Sequence, residues 1–418
     1  MSEKNLFSAG AAKGDITPDE SLLPLPFFGP IKINRIDSRL HVRALALCDG
    51  ERKSLLITVD LTMILFMEEL LTSIAEETGI PREYIFIAAT HTHEAPMIGM
   101  DAFTGTDLST DSDEEKRKIA VWAPKMKEII VKTAREAVSN IKPAKLGYGT
   151  GKSYINVNRD ALLENGKSEL GNNYERPSDK TLHVVRIEDL NGKTIAWIIN
   201  YAVHAVAMNG CLIDGCIGIN SDIPGNTADA LEEKEQGAVA LWTSGAAGDQ
   251  NPRNMTNYGN QMVNGEMKYC NIGETGYLVM DALVKEHVRD ILAVNGKITC
   301  TERQAGLYGA EKVVMCPLKD HAEQFLPYVL RIFMIGDLAL EGVSAEVVTS
   351  IGKAACEVSP YKKTMMITHA LGYCGYVADE WEYEHEAFEV GNSPVGKGVA
   401  QPLFEEAFKE LFRMERNR

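Results

Sequence analysis

The stretch AATHTHEAP, residues 88–96, places His91 and His93 one residue apart at the end of an apolar run from Tyr84 to Ala89. Side chains at i and i+2 share one face of a strand. A strand continued through Thr92 therefore aims both imidazoles the same way at its C-terminal end. Such a pair could ligate a metal, but metal sites draw three or four ligands from several segments. Read alone, the pair is equally compatible with two polar histidines at a strand edge.

Five further segments carry residue types suited to chemistry. IINYAVHAVAMNG places His204 just after a strand, among Ala and Val, where a histidine satisfied within the core is the plain alternative to a ligand. GINSDIPGN enters a helix at Ser221 and Asp222, which reads as a cap or as an anion-collecting helix start. ALWTSGAAGDQNPRN ends a strand in a glycine-rich turn bearing Asp249, Asn251 and Arg253, where small residues let a ligand approach the backbone. GVSAEVVTSIGK sets Glu346 at the start of an expected helix, favourable by dipole alone, and GYCGYVADEWEYEHEAF adds Tyr373, Tyr376 and several glutamates. No phosphate loop, no dinucleotide GxGxxG before a helix and no GxSxG nucleophile elbow is present, which argues against nucleotide binding and serine-triad hydrolysis.

The elements that must hold these residues alternate. Strand-like runs lie at 40–48, 54–58, 84–89, 145–148, 182–187, 194–200, 238–243, 329–335 and 365–371. Between them, FMEELLTSIAEETG repeats apolar residues at helical spacing and stops at Gly79; a longer charged helix over 113–141 is expected to break at Pro124. SDIPGNTADALEEK and GETGYLVMDALVKEHVRDIL predict two more helices. Alternation of this kind predicts an α/β fold, a mixed or mostly parallel sheet flanked by helices, in one large domain spanning 1–418 with loop insertions at 101–113, 163–178, 251–264 and 389–399.

Composition suits a globular chain: 45% hydrophobic and 24% charged residues, with 43 Lys and Arg against 59 Asp and Glu for a formal charge of −16. That field disfavours nucleic acid and anionic membranes as partners. Asp60 interrupts the most apolar run, LLITVDLTMILF. No apolar leader follows the start, and the eight cysteines show no C-x-x-C spacing, so the expectation is a cytoplasmic protein with reduced thiols.

Taken together and in order, GAAKGDITP, RLHVRALAL, AATHTHEAP, NVNRD, NYAVHAVAMN, INSDIPGN, SGAAGDQNP, GVSAEVVTSIGK and GYCGYVADEWEY resemble the neutral/alkaline ceramidase family, from about Ala9 to Phe388. The resemblance implies a zinc amidohydrolase with one Zn2+ per chain held by His91, His204, Glu346 and Tyr376. It places His93 beside the metal as an acid/base or substrate-orienting group and Arg159 on the substrate. Two imidazoles, a carboxylate and a phenolate suit zinc, which accepts nitrogen and oxygen donors. Asp60, Asp222 or Asp249 could orient a metal-bound histidine from behind.

Two positions depart from the family. Asn251 stands where the family has a serine central to its catalysis, and Phe388 where it has a tyrosine assigned to the oxyanion. Asn can donate a hydrogen bond but cannot replace a hydroxyl in proton transfer, and Phe can do neither. The expectation is a zinc-dependent hydrolase that uses metal-bound water to cleave an amide, ester or lactone in a small soluble substrate rather than ceramide. His93, Asp249 and Asn251 are its catalytic candidates; Arg159, Asn251 and Phe388 are the substrate contacts. Lyase or isomerase chemistry on the same site, and a non-catalytic binding protein, are the alternatives. The β-sandwich that follows the catalytic domain in full-length members is not expected after Phe388.

Overall fold

Strict alternation of side-chain direction splits each central strand between two cores. In His41–Cys48, Val42, Ala44 and Ala46 face one core while Leu45 and Leu47 face another. In Thr194–Tyr201, Trp197 and Ile199 face one side and Ala196 and Ile198 the other. A sheet apolar on both faces must be covered on both. The computed structural model, which describes residues 6–27, 31–98, 112–209, 211–255, 261–263, 266–268 and 271–417, shows what covers it.

Eight strands form the main sheet: β1 Ser8–Asp15, β2 His41–Cys48, β3 Lys53–Val59, β4 Ile85–Ala89, β5 Lys142–Lys152, β6 Thr181–Asp189, β7 Thr194–Tyr201 and β8 Val239–Ser244, in the order β8-β7-β6-β5-β1-β2-β3-β4. Only the outer pairs, β3 with β4 and β7 with β8, run parallel. The sheet is thus mixed rather than mostly parallel. Four more strands, β9 Leu307–Pro317, β10 Phe325–Ile335, β11 Leu338–Val343 and β12 Lys363–Ile367, form a second sheet in that order, with β11 and β12 parallel.

The two sheets share a core in which Leu45, Leu56 and Phe86 meet Phe333, Leu340 and Met365. Helices α1 Met67–Thr78, α2 Asp113–Ser139, α3 Asp222–Lys234 and α4 Gly276–Asn295 cover the far face of the main sheet. Helices α5 Thr349–Glu357 and α8 Ala400–Arg416 cover the far face of the second; the short α6 Glu380–Glu384 and α7 Phe388–Gly391 lie between them in the chain. The architecture is therefore helix, sheet, sheet, helix.

Sequence and structure part company at several elements. α2 runs unbroken through Pro124, which is exposed and whose missing N–H leaves the buried face intact. The expected helix start at Glu346 is a two-residue strand, and α5 begins at Thr349. The expected loop 163–178 contains a strand, Ser168–Asn173; residues 101–111 and parts of 251–264 lie outside the described residues. Among the described residues no helix is long and apolar enough to cross a membrane, and none of the seven described cysteines forms a disulfide.

Candidate metal centre

The C-terminal ends of the parallel pairs meet at one end of the shared core, the usual place for a site in α/β sheets. β4 leads into His91, β7 into His204, β11 into Glu346 and β12 into His369. Backbone hydrogen bonds stitch these ends together: Ala89 N–H donates to His369 O at 3.0 Å, His369 N–H to Ala345 O at 3.2 Å, His93 N–H to Ala205 O at 3.1 Å and His204 N–H to Gln250 O at 2.9 Å. A short parallel bridge sets Glu346 opposite Tyr376.

β4 stops at Ala89, so strand alternation is not what aligns His91 and His93. His91 takes a left-handed backbone conformation, φ 67°, and His369 does the same at φ 54°. Non-glycine residues held there mark strain that the surroundings enforce, and such strain concentrates at functional sites. The turn brings His91 Nε2 to 3.1 Å from His93 Nε2.

The tautomers follow from what lies behind each ring. His91 Nδ1 sits 2.8 Å from Thr62 O, and His204 Nδ1 2.7 Å from Ala247 O; a carbonyl can only accept, so each Nδ1 carries the proton. Thr368 Oγ1 donates to Gly245 O at 2.8 Å and so accepts from His369 Nδ1 at 3.0 Å. All three Nε2 atoms therefore present lone pairs. They converge on Glu346 Oε2 at 3.4 Å from His91, 3.0 Å from His204 and 3.7 Å from His369.

Three nitrogen acceptors around a carboxylate acceptor repel one another unless a cation sits among them. All four side chains are at most 2% exposed, so water does not screen them. The donor set therefore fits a metal ion. His91, His93 and His204 form one group able to hold it and His91, Glu346 and His369 another, overlapping the first. Tyr373 Oη donates to Glu346 Oε1 at 2.8 Å, which leaves Oε2 for the centre, and Tyr376 Oη lies 3.1 Å from His204 Nε2.

Electrostatics agree with neutral rings around a charged carboxylate. Burial pushes His204 down to about 3 and His369 down to about 4, and with the neighbouring rings pushes His93 well below the usual imidazole value. Burial works against an ionised Glu346, and cationic or hydrogen-bond-donating imidazoles push the carboxyl well below its ordinary range; with the rings neutral and their lone pairs facing it, a bound cation would take that place. Burial raises the Tyr376 hydroxyl well above the usual phenol value, against the pull of Arg159.

Arg159, Asn251, Phe388 and Tyr376 come together beside the centre. Arg159 donates to Tyr376 Oη at 3.0 Å, to Asn251 Oδ1 at 3.4 Å and to Glu389 Oε1 at 2.7 Å, with its guanidinium 5.3 Å from the Phe388 ring centre. Because Arg159 only donates, the Asn251 amide must turn its oxygen toward it, which turns the amide N–H2 toward Met255 Sδ, a weak acceptor at 3.7 Å.

Asp249 lies among different partners. It accepts from Thr349 N–H and Oγ1, both at 2.8 Å, and from Asn158 Nδ2 at 2.8 Å, so it positions the start of α5 and the Asn156–Leu162 strand. Asp60 accepts from Arg43 and His41 N–H, and Asp222 from Met208 and Ile223 N–H. Backbone carbonyls, not these carboxylates, orient His91 and His204.

His369 was not legible as a site residue because a strand read through to Leu371 absorbs it. The signal was a recurrence: AATH, YAVH and MITH each follow a strand with small residues and a histidine.

A family model, "Neutral/alkaline non-lysosomal ceramidase, N-terminal", matches residues 7–276. The chain is 27% identical over 213 residues to neutral ceramidase B of Dictyostelium discoideum and 25% over 220 residues to neutral ceramidase A of the same organism. These matches cover 49% and 50% of this chain but only 29% and 30% of those relatives. The solved neutral ceramidase of Pseudomonas aeruginosa superposes on 100% of this chain and 75% of its own, with TM-score 0.77 and 18% identity, which shows a common fold. A solved ceramidase complexed with C2 covers 99% of this chain and 76% of its own, at TM-score 0.78 and 18% identity. This chain belongs to the neutral/alkaline non-lysosomal ceramidase family.

Proposed function

We propose that this protein is a zinc-dependent hydrolase of amide bonds, with a soluble N-acyl amine as substrate. The observation that carries the reading is the convergence of three imidazole lone pairs and one carboxylate oxygen, each held from behind by a hydrogen bond. Nitrogen and oxygen donors in this mixture suit zinc. When bound, the ion would polarise a scissile carbonyl and lower the pKa of a coordinated water toward about 7.

The chain's own residues supply the rest. His93, half-buried and the most exposed ring of the cluster, would take and return the proton, its burial-lowered pKa keeping it neutral and able to accept. Arg159 stays cationic beside Tyr376 and Glu389 and, with the N–H2 of Asn251, held only by the weak acceptor Met255 Sδ, offers donors to charge developing on the substrate oxygen. Glu389 and the Phe388 ring fix the guanidinium in place.

Ceramide is the substrate class named in the relatives. Asn251 and Phe388, in place of a hydroxyl pair, together with the charge of −16, support a polar amide instead. The test pairs metal content by elemental mass spectrometry with turnover on short-chain ceramide and soluble N-acyl amines, for the wild type and His204→Ala. About one zinc per wild-type chain, little in the variant, and hydrolysis of the soluble amides is the expected result. Full zinc in His204→Ala would sink the site. Faster cleavage of ceramide would overturn the substrate.

A further inference from the structure

Next to Arg159 lies a second buried polar pocket, of which the reaction above uses only Glu389. Asp160, Asp249, Glu382 and Glu389 are each at most 1% exposed, and one oxygen from each of Asp160, Asp249 and Glu382 falls within 4.8 Å of the others. They arrive from separate elements: the Asn156–Leu162 strand, the turn after β8, α6 and α7.

Three of the four are built alike. Asp160 Oδ2 takes Arg176 NH1 at 2.6 Å, Glu382 Oε2 takes Asp379 N–H at 2.8 Å and Glu389 Oε1 takes Arg159 Nε at 2.7 Å. In each case the other oxygen, Asp160 Oδ1, Glu382 Oε1 or Glu389 Oε2, is buried and accepts no hydrogen bond. Four carboxylates face two guanidiniums, Arg159 and Arg176, and Asp379 adds a further charge at the edge beside Arg176. Ionised, the pocket holds an excess of at least two negative charges out of water, which a protein neutralises with protons or with a cation.

We infer that this pocket binds one hard divalent cation, Ca2+ above Mg2+, through the inward oxygens of Asp160, Asp249 and Glu382, with Glu389 closing it on the Arg159 side. Ca2+ takes six to eight oxygens at about 2.3–2.6 Å, so oxygens up to about 5 Å apart fit around one ion, whereas Mg2+ demands a tighter octahedron. Carboxylates alone, without nitrogen or sulfur, select such ions over zinc. Burial and mutual repulsion push the Asp160 and Glu382 carboxyls up in the absence of a cation, as expected for a site that exchanges protons for metal. The ion would tie α6 and α7 to the strand carrying Arg159. This inference is independent of the hydrolase reading.

Calcium titration by calorimetry on the purified chain, with a thermal melt in CaCl2, tests it. One Ca2+ per chain and a melting temperature several degrees higher are expected. Asp160→Asn and Glu382→Gln should weaken binding at least tenfold while zinc content stays as in the wild type; His204→Ala should lose zinc and keep calcium. Because an acidic-pocket variant can misfold, wild-type crystals soaked in MnCl2 provide a second readout, with an anomalous peak expected among the four carboxylates. No binding of Ca2+, Mg2+ or Mn2+, with the amide variants melting higher than wild type, would show that shared protons fill the pocket and overturn the inference. Calcium bound equally by wild type and both variants would also overturn it.

Discussion

His93 differs from its three neighbours in its exposure. His91, His204 and His369 are each pinned through Nδ1 to a carbonyl or hydroxyl oxygen, which fixes the tautomer and aims Nε2. His93 is half-buried and stands against His91 at a ring-centre distance of 4.7 Å, nearly perpendicular to it. A fully enclosed ring suits a ligand, and a less enclosed one suits a proton carrier. His93→Ala should therefore keep its metal and lose about 10²–10⁴-fold in kcat, the range for a general acid/base. Elemental analysis beside steady-state kinetics checks this: metal content falling below half would make His93 a ligand instead. His91, His204 and Glu346 were legible from collinear motifs, and His369, which meets them, was not. The roles of Asp249 and of the carbonyls of Thr62 and Ala247 were not, because a main-chain oxygen leaves no trace in residue type.

Two elements show where pattern reading held and where it failed. Apolar runs located nine strands, most of them buried on both faces, but β1 escaped: its sequence, SAGAAKGD, lacks the β-branched residues that signal a strand. Small residues serve there because α2 crosses closely, and a Cβ on Gly10 would meet the Ala137–Ile141 backbone at about 2.5 Å. α2 itself was expected to break at Pro124, yet the buried stripe Ile119, Trp122, Met126, Ile130 continues through it, and packing overrides the lost hydrogen bond. Since Pro124 contributes nothing to that stripe, Pro124→Ala should raise stability by about 1–3 kcal/mol, read as a higher urea midpoint. Gly342 works in the opposite direction. It lies in β11, four residues before Glu346, and a Cβ there would meet the Phe86 ring of β4 at 2.5 Å. Gly342→Ala should cost about 1–3 kcal/mol by overpacking the two sheets where their ends carry the ligands. Zinc affinity should fall with it. Unchanged affinity in a destabilised variant would mean the site tolerates the sheets moving apart.

At the scale of the whole molecule the same burial that shapes the metal centre sets the response to acid. His287 is fully buried, takes the Trp242 indole N–H on Nε2 at 3.2 Å, and is pushed by burial down to about 4. A histidine whose folded pKa lies below its unfolded value of about 6.5 is protonated first in the unfolded chain. Its contribution is complete above pH 6.5 and is lost as pH falls toward 4. His183, also pushed down to about 4, acts in the same direction. Asp60 and Asp222, raised by burial to about 6, act in the opposite one: the folded state takes their protons first, so between about pH 6 and 4 they gain stability as pH falls. A bare pH profile therefore mixes opposing slopes, and a variant must isolate one. His287→Gln keeps an acceptor for Trp242 and removes the titration. The unfolding free energy of wild type relative to this variant should decline by about 1.4 kcal/mol for each pH unit from 6.5 down to 4, and stay level above 7. Urea titrations of both proteins at half-unit steps measure it. A difference that does not change with pH would mean His287 is as easily protonated in the fold as outside it, and that the core around Trp242 admits water.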